Sequence, residues 1–172
     1  MLRQVRDDDL PAMLRWRNHP RVRAASFTTH VISEDEHARW WAGVRADPTR
    51  QVLVYEHGGT ACGVVTFSGL NPEQPIASWG FYLDLDGLQR RGEMITAWFG
   101  IERTAIRHAF EALGLTTLRG EVLAGNQSVR LLHDRFGFKE TGGYRRVIDG
   151  TTVDVVTVEL TRPPRRERTW GP

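Results

Sequence analysis

The segment from Asn126 to Phe138 constrains the fold most, because it contains both a start signal and a stop signal for a short helix. Asn126 and Ser128 are both good N-caps, and Gly137 can adopt the left-handed conformation that ends a helix. The predicted apolar side of this helix consists of Val129, Leu131, Leu132 and Phe136. The segment therefore predicts a loop, a short amphipathic helix and the start of a buried strand.

Length and composition favour one domain with one core, since the chain has 172 residues and a hydrophobic content of 40%. A net charge of +2 permits nucleic-acid binding without indicating it. Cys62 is the only cysteine, which rules out a disulfide framework and a zinc cluster, so we expect no metal. No apolar signal segment and no run of about eighteen apolar residues occurs, so a cytoplasmic location away from membranes is expected.

Hydrophobic periodicity predicts the order strand, two helices, three strands, helix, strand, helix, two strands. The predicted strands are residues 2–6, 51–56, 60–67, 76–83, 117–123, 139–147 and 152–160. The first helix begins near Asp8 or Asp9, the second follows Ser33, the third covers residues 95–113, and residues 16–23 are expected to form a polar break. Glycine-containing turns at residues 57–59 and 149–150 predict two hairpins, and residues 162–172 are expected to form a tail.

This order of elements resembles the Gcn5-related N-acetyltransferase (GNAT) family, in which an Asn-initiated helix ends in Gly-Phe and carries Tyr where this chain has His133. The resemblance implies a single-domain α/β (α+β) fold over residues 1–161, with a mixed, mostly antiparallel sheet of about seven strands and about four flanking helices. Residues 16–23, 29–33, 36–37, 63–64 and 79–83 are similar to recurrent blocks of the amino-sugar-nucleotide N-acetyltransferases of the pseudaminic-acid pathway.

The resemblance implies transfer of an acetyl group from acetyl-CoA to the primary amine of a small molecule, foremost an amino sugar nucleotide, by direct attack on the thioester. Such a reaction needs backbone donors for the thioester and an acid for the leaving thiolate. We expect the backbone of Phe81, Tyr82 and Leu83 to bind the donor and His133 to supply the acid. The alternatives are an ordinary buried strand and a surface histidine bonded to solvent.

The acceptor is expected to contact Trp16, Arg17, Asn18, His30 and Trp79. Arg17 or Arg23 suits a nucleotide phosphate, although Trp16 could equally belong to the core and the arginines to a solvated face. A general base is less clearly indicated. His30 is the first candidate, and Glu36, His37, Asp84 and a water chain remain alternatives.

The donor's pyrophosphate is expected to contact Gln89, Arg90, Arg91 and Gly92, and Asn126 is a further residue expected to bind the donor. The family places a second small residue after the glycine, and here Met94 occupies that position and would crowd a close backbone approach. Glu93 adds a negative charge beside the phosphates, and the segment is about one helical turn too long. Arg90 and Arg91 could compensate through their side chains.

The altered loop leaves two other functions open. One is a GNAT-fold transferase that takes an aminoacyl group from tRNA, for which the Arg-rich tail would suit a nucleic-acid donor. The other is a non-catalytic binding module on the same scaffold. The expected partner is a small-molecule amine, with tRNA under the first alternative and ribosomal-protein N-termini as a minor acceptor; a homodimer is allowed by the sequence.

Overall fold

The computed structural model describes residues 1–162, within which seven strands and six α-helices form. The strands are β1 (Leu2–Gln4), β2 (Arg50–His57), β3 (Thr60–Ser68), β4 (Ile76–Leu83), β5 (Thr117–Leu123), β6 (Lys139–Ile148) and β7 (Thr151–Thr161). The helices are α1 (Leu10–Asn18), α2 (Pro20–Ala24), α3 (Glu34–Ala46), α4 (Leu85–Arg91), α5 (Met94–Arg107) and α6 (Gln127–Arg135). A 3-10 turn (Asp7–Asp9) precedes α1, and a π-helical turn (His108–Ala112) extends α5. No helix in this described range is long and apolar enough to cross a bilayer.

All seven strands join one sheet in the order β1-β2-β3-β4-β5-β7-β6. Neighbouring strands are antiparallel except for β4 and β5, which are parallel. The parallel pairing extends only from Ile76 opposite Thr117 to Trp79 opposite Gly120. Beyond that point β4 continues along β3, and β5 continues along β7, so the centre of the sheet opens into a V.

The two faces of the sheet carry separate apolar cores, as the alternation of side chains along a strand requires. On one face, Val54 and Val64 pack with Met13 of α1 and Val44 of α3. The larger core lies on the opposite face and consists of side chains from the strands, from α5 and from its π-helical extension, among them Leu53, Tyr55, Val65, Phe67, Ile101 and Ala105. The sheet is therefore a middle layer between helices.

The predicted meander and both hairpins are confirmed. The Gly58–Gly59 turn and the Asp149–Gly150 turn each use two consecutive residues with positive φ, as tight hairpin turns require. The long third helix is also confirmed and stops at Gly114, whose φ is 68°.

The predicted polar break at residues 16–23 is wrong. Residues 16–18 form the last turn of α1, and α2 follows at once because Pro20 is tolerated at the first position of a helix. The ring nitrogen Nδ1 of His19 accepts a hydrogen bond from the Arg21 amide and caps that short helix. Helix α4 was also not predicted. The side chain of Asp84 accepts from the Gly87 amide at its start, so six α-helices replace the four that were expected.

The predicted apolar side of α6 needs one correction. Leu131 is 70% exposed, whereas His133 is only 4% exposed. The buried side of the helix is thus shifted around its axis so that it runs through Val129, Leu132, His133 and Phe136. The predicted tail lies outside the described residues, apart from Arg162 at its start.

Gly63 of β3 and Gly43 of α3 offer a matched pair for testing the packing. A Cβ at Gly63 would lie 2.7 Å from Leu83 Cδ2 and 2.9 Å from the Tyr82 carbonyl oxygen, whereas a Cβ at Gly43 would meet nothing within 4 Å. We expect Gly63→Ala to lower the free energy of unfolding by about 1–3 kcal/mol. Gly43→Ala should raise it by about 1 kcal/mol because it removes a glycine from a helix interior. Urea denaturation measures both, and equal effects would contradict the close approach of β3 and β4.

Candidate active site

The V between β4 and β5 leads into a cavity of about 560 Å³. Its lining residues come from β3, β4, β5, α2, the segment after α2, and α6, together with Leu85 and Trp98. From Gly80 to Leu83, the edge of β4 that faces β5 has no strand partner among residues 1–162. Backbone N–H and C=O groups must find partners somewhere, so this edge can hydrogen-bond an extended ligand.

The predicted donor-binding residues Phe81, Tyr82 and Leu83 all line this cavity, and so does Asn126. The Asn126 side-chain oxygen accepts from the Val129 amide at 3.4 Å and thereby starts α6. The strand edge and the first turn of α6 therefore face each other across the cavity.

His133 also lines the cavity, but it is a buried residue rather than a surface histidine. Its ring packs on Phe138 with 4.9 Å between ring centroids and lies 5.6 Å from Trp79. Its Nδ1 atom is 2.7 Å from Oε1 of Glu102, which projects from α5. A Cβ built on Gly120 would lie 3.9 Å from His133 Nε2, so this second ring nitrogen is directed toward the cavity wall at β5.

Glu102 is the residue that sequence reasoning missed. It is fully buried, and burial raises the pKa of its carboxyl group, an effect partly offset by the hydrogen bond from His133. Its second oxygen, Oε2, has no partner within the described chain. A signal was present, because a glutamate at position 102 interrupts the apolar side formed by Trp98, Ile101 and Ala105.

The predicted acceptor-binding residues separate into two groups. Trp79 lines the cavity. Trp16 belongs to the core between α1 and the sheet. Arg17 is half-buried and donates from Nη2 to the Thr28 carbonyl at 3.0 Å, while the amide of Asn18 both donates to and accepts from the Ile32 backbone at 2.8 Å. Arg17 and Asn18 therefore hold the loop between α2 and α3 through hydrogen bonds, and neither residue lines the cavity.

The structure does not bring His30 to the cavity. Its side chain is 60% exposed, and its Nε2 atom lies 2.9 Å from Glu36 Oε1. Glu36 is positioned by the start of α3, where the Ser33 hydroxyl accepts from the Glu36 amide. Among the described residues, the carboxylate that lines the cavity is Glu121 of β5, whose Oε1 accepts from the Tyr144 hydroxyl at 3.1 Å.

The predicted phosphate-binding residues Gln89, Arg90, Arg91 and Gly92 form the end of α4 and its left-handed stop. None of them lines the cavity. Arg91 Nε donates to Glu93 Oε2 at 2.7 Å in a partly exposed ion pair. Helix α5 then begins at Met94.

The profile of the acetyltransferase (GNAT) domain matches residues 1–139. The chain belongs to the GNAT acetyltransferase family. Its fold is shared with solved structures over 94% of the chain. The spermidine N-acetyltransferase from Vibrio cholerae in complex with CoA and spermine has a TM-score of 0.80 at 19% identity, covering 94% of each chain.

Two further solved structures show the same likeness in fold. An N-acetyltransferase from Staphylococcus aureus Mu50 has 25% identity and a TM-score of 0.72, covering 94% of this chain and 97% of that one. A ribosomal-protein-alanine N-acetyltransferase from Brucella melitensis has 21% identity and a TM-score of 0.68, with coverage of 94% and 99%. No curated protein sequence gives a significant match. The chain is accordingly an enzyme of the N-acyltransferase class.

Gly120 tests whether the space in front of His133 matters to this GNAT enzyme. A methyl group there would lie 3.5 Å from Trp79 Nε1, 3.9 Å from His133 Nε2 and 3.0 Å from Val158 Cγ2. Because it fills space beside the imidazole, we expect Gly120→Ala to lower the turnover number roughly tenfold or more. Turnover is measured from the thiol that is released, and folding is measured by thermal melting of the same samples. Gly43→Ala, which lies outside the cavity, is the control variant. Unchanged turnover in a folded variant would show that this space is not used.

Proposed function

We propose that the enzyme transfers an acetyl group from acetyl-CoA to the primary amine of a small hydroxylated molecule, with an amino sugar nucleotide as the best candidate. The observation that carries this proposal is the edge of β4 at residues 80–83, which has no strand partner within residues 1–162 and shares one cavity with a buried histidine. The edge offers backbone groups to an extended donor, and the histidine offers a proton.

The donor end of the cavity fits acetyl-CoA, which supplies an activated thioester. Amide groups of an extended pantetheine arm can pair with residues 80–83 as an added strand would. Backbone N–H groups at this edge are suited to the thioester oxygen, on which negative charge develops during attack. The Vibrio cholerae spermidine N-acetyltransferase, a structural neighbour, has CoA bound. Arg90 and Arg91 are the cations available for phosphates where β4 leads through α4 into α5.

His133 is the proposed acid. The amine attacks the carbonyl carbon, a C–N bond forms, the C–S bond breaks and the sulfur leaves with the electron pair. His133 Nε2 donates a proton to that thiolate, and the proton lost by the amine passes to water. No side chain is assigned as the base, since His30 lies outside the cavity.

The acceptor end of the cavity is rich in hydroxyl groups. We assign Ser26, Thr66, Ser68 and Ser78, which all line the cavity, to this end. Within the described chain, the carboxylate and the guanidinium that line the cavity belong to Glu121 and Arg21. Hydroxyl groups and one guanidinium suit a sugar that carries phosphate. A polyamine such as the spermine held by the Vibrio cholerae enzyme carries several ammonium groups and would find a single carboxylate here.

Donor binding is tested by calorimetric titration with acetyl-CoA. We expect micromolar affinity, about −8 kcal/mol. Because Arg91 is held by Glu93, Glu93→Gln should free the guanidinium and tighten binding about two- to fivefold at low salt. Glu73→Gln, on an exposed loop, is the charge-matched control. Absence of acetyl-CoA binding by the wild type would refute the proposed donor.

Acceptor choice is tested by comparing a 4-amino sugar nucleotide with spermidine. We expect kcat/KM for the sugar nucleotide to exceed that for spermidine by at least about tenfold. A tenfold ratio corresponds to a difference of about 1.4 kcal/mol in activation free energy. Arg21→Met should raise KM for the sugar nucleotide but not for the same amino sugar without its nucleotide, and Arg21→Lys should retain part of the effect. A preference for spermidine would overturn the proposed acceptor class.

A further inference from the structure

We propose that Glu102 and His133 work as one buried acid–base pair, in which Glu102 is a positioning residue that keeps a proton on His133 Nε2 at the cavity. The role of the pair in acetyl transfer rests on the proposed function. The pair itself rests on the contact between the two side chains and on their burial, and it can be tested without turnover.

The two side chains come from separate elements that meet above the parallel strands. Glu102 is on α5 and His133 is on α6, and their 2.7 Å contact joins a carboxylate oxygen to Nδ1. Glu102 is 0% exposed, and this contact is the only hydrogen bond that its carboxyl group makes within residues 1–162. Within the described chain, the imidazole is therefore the one hydrogen-bond partner of the carboxyl group.

The surroundings of the ring leave one route for a proton. Trp79 and Phe81 from β4 and Phe138 after α6 pack around it, and none of these side chains titrates. The other titratable side chains that line the cavity are Arg21 of α2, Tyr82 of β4 and Glu121 of β5. Since Nδ1 faces Glu102, only Nε2 can exchange a proton with a molecule in the cavity.

A proton count shows what the glutamate contributes. With one proton on Nε2 and one between Nδ1 and Oε1, the pair has no net charge, whether it is carboxylate with imidazolium or carboxylic acid with imidazole. Donation of the Nε2 proton to a thiolate leaves a carboxylate facing an Nδ1–H, with one net negative charge. Burial disfavours that charge, as it does for Glu102 itself. The pair therefore retains its Nε2 proton until a strong acceptor such as a thiolate is present, and it recovers the proton from water after each turnover.

A purely structural role would not require a glutamate. Burying an ionisable pair costs several kcal/mol per ion, and apolar side chains of similar size usually pack as well. Glutamine would keep the shape and can still hydrogen-bond Nδ1, but it cannot carry the charge that stabilises imidazolium. Glu102→Gln therefore separates the positioning of a charged ring from simple space filling.

The first experiment follows the ring nitrogens of His133 by nitrogen NMR against pH in the full-length protein. His133→Gln identifies its signals among those of the six histidines. We expect the titration midpoint of His133 in Glu102→Gln to fall at least about one pH unit below that of the wild type, a tenfold change in proton affinity. A midpoint that is equal or higher in the variant overturns the proposal, even if the enzyme acetylates as proposed.

The second experiment measures acetyl transfer across pH in the same proteins. At pH 7.5 Glu102→Gln should lose tenfold or more in kcat, recover as the pH falls, and keep KM for acetyl-CoA within about twofold. The double variant Glu102→Gln/His133→Gln should have a kcat less than about twofold below that of His133→Gln alone, because the two residues act as one unit. Unchanged kcat in Glu102→Gln overturns the proposal.

Folding is checked by near-ultraviolet circular dichroism, and Glu102→Asp, which keeps the charge on a shorter arm, replaces Glu102→Gln if the glutamine variant does not fold. In Glu102→Asp, the titration midpoint of His133 should lie between the midpoint in the folded wild type and the midpoint in the wild type unfolded in urea. A midpoint equal to the value in urea would count against the pair. A wild type that transfers no acetyl group would refute the proposed function, while the NMR titration would still decide whether the pair exists.

Discussion

The parallel contact between β4 and β5 is the constraint on which the rest of this structure depends. Two parallel strands that are adjacent in sequence cannot be joined by a tight turn, so the chain must cross over the sheet. Helices α4 and α5 make that crossing and place α5 against the strands. The helix that follows β5 is α6, so the crossing helix and α6 meet on the same face, and Glu102 reaches His133. The end of the parallel pairing at Trp79 and Gly120 then supplies the opening in front of that pair.

Local signals were sufficient for most of the fold. Turns such as Gly58–Gly59 and Asp149–Gly150 predict their hairpins because few other residues accept positive φ, and Asn126 and Gly137 delimit α6 for similar reasons. Errors arose where local preference was weak. The polarity of residues 16–18 outweighed their place at the end of a helix, and α6 turned so that His133 rather than Leu131 became buried. In each case tertiary contacts decided the outcome, and those contacts come from residues far along the chain.

The loop after α2, beside the proposed acceptor site, also depends on tertiary contacts that local sequence signals do not reveal. The loop after α2 contributes Ser26 and Phe27 to the cavity and is held from within by Arg17 and Asn18. It is also held from outside, since the guanidinium of Arg146 lies 4.6 Å from the centre of the Phe27 ring. The Thr29 hydroxyl hydrogen-bonds Asp149 at the tip of the β6–β7 hairpin. Neither segment alone contains a sequence signal for contacts between residues so far apart in the chain. The predicted acceptor residues therefore included Arg17 and Asn18, which hold the loop, as well as Trp79, which lines the cavity.

The two proposed ends of the cavity bind their ligands through different groups, one through the backbone and the other through side chains. This difference determines how much a shared fold indicates about function. An unpaired strand edge presents backbone groups whose hydrogen bonding depends little on side-chain identity, so it can be kept while the sequence changes. The proposed acceptor end relies instead on hydroxyl, guanidinium and carboxylate side chains that line the cavity, and a substitution there would change which amine can bind. Likeness in fold therefore leaves the acceptor open. The proposed acceptor rests instead on the charged side chains that line the cavity, Arg21 and Glu121, because a protein selects among amines through such side chains.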